Sequence, residues 1–184
     1  DWGADPGGPT PADPITLTSM SMASSANYGV VFPGQGSQHV GMLAELGAQH
    51  AVVPATFAEA STVLGYDLWE LIQAGPPEQL SLTHIAQPAI LTCSVAIWRI
   101  WQQRVSALPV LMAGHSFGEY SALVCADALD FGTAVSLVRQ RGEFMQGAVP
   151  LGTGTMVAIL GLDDAVVEQC CREASTAGIV SASN

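Results

Sequence analysis

The stretch VLMAGHSFGEYSALVCA, residues 110–126, constrains the fold more than any other part of the chain. Its apolar start is too short for a helix and reads as a buried strand. GEYSALVCADAL after it reads as a helix with Glu119 in the first turn, where the helix dipole favours an anion. Between the two, Gly114-His115-Ser116-Phe117-Gly118 fits G-x-S-x-G, the pattern of a nucleophile elbow. There a strand turns sharply into a helix and presents a serine hydroxyl at the corner. Glycines flank the serine because a Cβ at either place would strike neighbouring backbone. The helix behind the hydroxyl turns its free N–H groups toward any oxyanion formed there. The plain alternative is a glycine-rich strand–helix turn with an idle serine.

The rest of the chain supports a strand–helix alternation. YGVVF, residues 28–32, reads as another buried strand ending at Pro33, followed by the loop PGQGSQ. Helical spacing runs through 39–49, 54–65, 67–75, 87–104 and 131–149, with Gly65 and Gly75 as stops. The helix over 87–104 is apolar all round and is expected to be largely buried. After residue 150 the character changes: TMVAILG (155–161) reads as a strand, DDAVVEQCCREAST (163–176) as a helix and GIVSAS (178–183) as a strand. The pattern implies an α/β fold with a parallel sheet. It divides into a tail over 1–27, a main unit over 28–150 and the first β-α-β piece of a smaller unit over 151–184. Two strands and one helix do not bury their faces alone, so the chain is expected to be incomplete.

Charge narrows the function. Sixteen acidic residues face five arginines and no lysine, for a net charge of −11. Nucleic acid and anionic membrane surfaces both call for clustered cations, so neither is expected as a partner. The missing lysine excludes a Walker A phosphate loop and Schiff-base chemistry. Cys93, Cys125, Cys170 and Cys171 form no C-x-x-C spacing and no cysteine–histidine cluster, so no metal and no cofactor are expected. Cys93 and Cys125 lie in apolar runs and read as reduced core thiols, which suits a cytoplasmic protein. Residues 1–27, with four prolines in the first fourteen positions, read as a disordered tail or tag rather than a secretory signal. No apolar run approaches the roughly 18 residues that a membrane span requires.

A serine nucleophile needs a base. The histidines are His39, His50, His84 and His115, none of them after Ser116, so the chain does not complete the Ser–acid–His order of an α/β-hydrolase. His115 neighbours the serine at a strand end, where adjacent side chains point to opposite sides. It reads as a pocket-shaping residue, and His39 as the start of a helix.

Four motifs taken together go further: VFPGQGSQHVGM, AQPAILTCSVA, AGHSFGEYSALVCA and VRQRGEFMQ. In this order and spacing they resemble the malonyl-CoA:acyl carrier protein transacylase family of fatty acid synthesis, over about residues 28–184. The resemblance implies an α/β-hydrolase-like large subdomain and the start of a ferredoxin-like small one. It implies that Ser116 takes a malonyl group as an ester and passes it to the carrier protein. It matches Gln35 and Phe117 to the two backbone N–H groups of the oxyanion hole. Arg141 matches the arginine that grips the free carboxylate of malonate, a task for a planar fork of donors. Gln87 and Met145 match acyl-pocket residues. The family's base, a histidine well downstream of the elbow, would follow Asn184. A serine esterase or thioesterase, or an inactive fragment, are the other readings.

Overall fold

The computed structural model describes residues 28–150, 153–176 and 178–183; the expected N-terminal tail lies outside the described residues. Two strands, β1 (Gly29–Phe32) and β2 (Leu111–Gly114), pair in parallel, with Gly29 opposite Leu111 and Phe32 opposite Gly114. A parallel pair needs a long crossover instead of a hairpin. Residues 33–110 supply it through α1 (Ala44–Gln49), α2 (Val52–Leu64), α3 (Leu68–Ala74), α4 (Pro77–Leu80) and α5 (Thr83–Gln102). After β2 come α6 (Gly118–Cys125), α7 (Phe131–Gly147) and α8 (Asp164–Ala174).

Local signals set several helix ends. Gly65 closes α2 at a φ of 79°, and the Asp67 carboxylate opens α3 by accepting the Glu70 N–H at 2.9 Å. Asp130 does the same for α7, accepting the Thr133 N–H at 2.8 Å, and that bond holds its carboxyl below the usual aspartate range. The core lies around α5, which packs on α2, α6 and α7. Val53, Phe57, Leu68, Ile72, Leu91, Val135 and Val138 are fully or almost fully enclosed there. Arg99 leaves this helix to meet Glu59 at 2.8 Å and to sit 5.1 Å from the centre of the Phe131 ring.

The structure differs from the sequence reading at four places. Helix α5 starts at Thr83, not at Gln87, and runs through Pro88, which lies inside it and has no N–H to give the His84 carbonyl one turn back. The one-turn helix α4, capped by Pro76 and begun by Pro77, had no sequence counterpart. The strands are half-buried, not buried: Val31 is 79% and Leu111 56% exposed. Parallel sheets bury both faces only when helices cover both; α6 packs on one face of this sheet, and no described element covers the face that carries Val31 and Leu111. Finally, neither 155–161 nor 178–183 is a strand. A strand exists through its ladder, and no described strand lies beside these segments to pair with them. Of the expected small β-α-β unit only the helix forms, as α8, with no buried residue. No helix of the described residues is long and apolar enough to cross a membrane.

Candidate active site

The register of the sheet places the site. Phe32 and Gly114 are partners at the same end of a parallel pair, so the loops that follow them leave the sheet side by side. The ladder extends one step further, with the His115 N–H donating to the Phe32 carbonyl at 3.0 Å. Gln35 stands three residues past Phe32 and Phe117 three past Gly114. Carboxyl ends of parallel strands are where open α/β sheets present their ligands.

Each glycine of the elbow has a visible reason. A Cβ on Gly114 would lie 2.0 Å from the Gly118 carbonyl carbon, so the chain can double back here only over a bare Cα. A Cβ on Gly118 would lie 2.7 Å from the carbonyl oxygens of both Phe32 and Pro33. One on Gly34 would lie 2.5 Å from His115 Nδ1, so the PGQG loop rests on the elbow itself. Ser116 sits at the corner with a φ of 54°, in the left-handed region that side chains adopt at a cost of about 1–2 kcal/mol. It is exposed, whereas Phe117 beside it is fully buried and caps α6. The Gly118 N–H closes the turn on the His115 carbonyl at 2.9 Å. Among the described residues, no hydrogen bond engages the amide N–H of either Gln35 or Phe117.

Helix α7 brings the cation. An Arg141 N–H donates to Ser116 Oγ at 3.1 Å, and another donates to the Met145 sulfur at 3.0 Å. The Gln87 amide nitrogen, from α5, donates to the same sulfur at 3.3 Å. Four residues singled out in the sequence thus meet in one connected chain: Gln87, Met145, Arg141 and Ser116. Gln87 is completely buried, in the second turn of α5 and not at its N-terminus, and its Oε1 has no partner. Gly142 lies inside α7, directly after Arg141. Its Cβ would lie 2.5 Å from the His84 Cα, so its bareness lets α7 approach α5 next to Arg141. The small residue directly after an arginine at a helix crossing was the available signal. His39 stands outside the helix it was expected to begin, in the loop before α1.

Two clefts flank the sheet. One of about 580 Å³ runs along β1 beside Val31, Trp98 and Trp101, and one of about 650 Å³ along β2 beside Leu108, Leu111 and Leu123. Ser116 and Arg141 line neither. No group of histidine, cysteine and acidic residues among the described residues is placed to hold a metal ion.

Fold and site together define an α/β protein with a serine held on a strand–helix elbow beside an arginine. Residues 30–183 match the acyl transferase domain family, and the chain belongs to that family. It is 59% identical over 157 residues to the malonyl CoA-acyl carrier protein transacylase of Salmonella typhimurium, covering 85% of this chain and 51% of that protein. Among solved structures it resembles an acyl carrier protein S-malonyltransferase from Vibrio cholerae, with a TM-score of 0.76 and 58% identity over 82% of this chain and 49% of the other. It also resembles a malonyl-transacylase in complex with its type II PKS acyl-carrier protein, with a TM-score of 0.81 and 56% identity over 85% of this chain and 50% of that one. The chain spans about half the length of the curated relatives it matches.

Proposed function

We propose that this chain carries the acyl-serine site of a malonyl-CoA:acyl carrier protein transacylase acting in fatty acid synthesis. The observation that carries the reading is the 3.1 Å hydrogen bond from Arg141 to Ser116 Oγ, which sets an anion-binding fork beside a strained, exposed hydroxyl. Ser116 Oγ attacks the thioester carbonyl, and the carbonyl oxygen takes up negative charge facing the Gln35 and Phe117 amides. The carbon–sulfur bond breaks, coenzyme A leaves as its thiol, and malonyl remains as an ester on Ser116. The thiol of the carrier protein then attacks that ester and restores the serine. Arg141 holds the free carboxylate throughout, through two parallel charge-assisted bonds.

The proton of Ser116 needs a base. This reading places it outside residues 1–184, in the part of the relatives' length that the chain does not span, so slow turnover is expected from the chain alone. His115 shapes the elbow against Gly34.

Intact-mass measurement after incubation with malonyl-CoA or acetyl-CoA tests the reading. Malonyl should appear on the wild-type chain and be absent from Ser116→Ala. Arg141→Ala should reverse the preference in favour of acetyl. Acyl groups on another residue, or an unchanged preference in Arg141→Ala, would refute it.

A further inference from the structure

Arg141 differs from three of the other four described arginines in the kind of partner it keeps. Arg99 pairs with Glu59, Arg139 with Glu143 and Arg172 with Glu168. Arg141 instead donates to a hydroxyl and a thioether, and among the described residues no acid neutralises it. Its charge is left for a ligand, yet its direction is fixed.

The fixing group is Met145. It stands one turn along α7, at the i+4 position where side chains share a helix face. Its sulfur accepts from Arg141 at 3.0 Å and from Gln87 at 3.3 Å, so α5 and α7 hold the sulfur between them. We infer that the Met145 thioether is a positioning acceptor for Arg141, and that selection of a carboxylate-bearing acyl group depends on that sulfur. The inference rests on the function proposed above and adds the residue that sets its specificity.

The chemistry explains why a thioether serves here. A carboxylate at position 145 would neutralise the guanidinium and compete with the acyl carboxylate. A hydrocarbon would offer no acceptor and leave a long flexible side chain to wander. Sulfur is a weak, uncharged acceptor. It orients the fork and leaves the positive charge unspent. Gln87 supports the sulfur from the buried side, and Met145 itself is 43% exposed.

The test uses the full chain labelled with ¹³C at the methionine methyl groups and titrated with malonyl-CoA or acetyl-CoA. In the wild type the Met145 methyl signal, assigned by through-bond correlation to its own backbone, should move with malonyl-CoA and stay in place with acetyl-CoA. Met145→Leu should lower the preference for malonyl-CoA over acetyl-CoA by roughly five- to tenfold, the worth of one net hydrogen bond. Met145→Glu should abolish the malonyl preference. A Met145→Leu chain that keeps the full preference overturns the role of the sulfur and leaves the proposed function standing. A wild-type chain without any preference overturns both. Should either variant fail to fold, the wild-type methyl signal decides, and its immobility in the presence of bound malonyl-CoA overturns the inference.

Discussion

Gly118→Ala offers a direct test of how the two loops of the site are held together. The added methyl would lie 2.7 Å from the carbonyl oxygens of Phe32 and Pro33, where contacts down to 3.4 Å are ordinary. Both obstacles are backbone, so no side chain can swing aside to make room. Either α6 or the PGQG loop must retreat by several tenths of an ångström. Overpacking of this kind costs about 1–3 kcal/mol. At about 2–4 °C per kcal/mol for a chain of this length, the melting midpoint should fall by roughly 3–10 °C. The chemical effect should be larger than the thermal one. The retreat separates Gln35 from Phe117, and a misplacement approaching 1 Å at a reacting centre costs roughly a hundredfold in rate. Thermal melting followed by circular dichroism gives the first quantity, and the rate of malonyl-Ser116 formation by intact mass gives the second. A variant that melts and acylates like the wild type would show that the loop and the elbow do not depend on their close approach, and the proposed pairing of the two amides would fail with it.

Two further predictions follow from local geometry. Ser116→Gly and Ser116→Ala both remove the hydroxyl, but only glycine relieves the φ of 54°, so the glycine variant should be more stable by about 1 kcal/mol in denaturant titrations; equal midpoints would mean the elbow is unstrained. Burial pushes the Cys93 and Cys125 thiols from an ordinary 9.0 up to about 12, with Arg99 and Asp127 acting in opposite directions on Cys125. Between those values the folded chain holds protons that the unfolded chain has released. Stability should therefore be intact below about pH 9 and fall above it, by about 1.4 kcal/mol per pH unit for each thiol. A Cys93→Ala/Cys125→Ala chain should show a flatter alkaline profile, and an equally steep one would exclude these thiols as the cause.

The elbow was legible because every force that shapes it is local. An apolar run, two glycines and an amphipathic helix follow one another in sequence, and Gly114 and Gly118 contact each other across four positions. Helices α2, α3, α6, α7 and α8 were readable for the same reason, through Gly65, Asp67 and the spacing of their apolar residues. The meeting of Gln87 with Met145 was not, because it joins residues 58 positions apart and depends on how closely α5 meets α7. Only the resemblance to a family brought Gln87 and Met145 into the site; spacing alone placed Gln87 at the start of one helix and Met145 within another. The half-open strands were misread for a related reason. Val31 and Leu111 have the composition of buried strand residues, but whether a face is covered depends on what lies above it.

The charge distribution gives these separate features a common logic. A chain with a net charge of −11 repels anions over most of its surface. Three described arginines are spent on glutamates at 2.8–3.5 Å and add nothing to anion capture. Arg141 escapes that fate because its neighbours are Ser116, Met145 and Gly142, none of which carries charge. Replacing Ser116 or Met145 by an acid would give Arg141 an internal partner and close the site to a carboxylate. Glu143, two positions along, leaves Arg141 alone and instead pairs with Arg139, its i−4 neighbour on another face of α7. The helical period therefore separates the arginine that is neutralised from the one that is not, and does so within a single turn of one helix. On the proposed function, anion recognition would be local, produced by which side chains α7 withholds from Arg141 as much as by those it supplies.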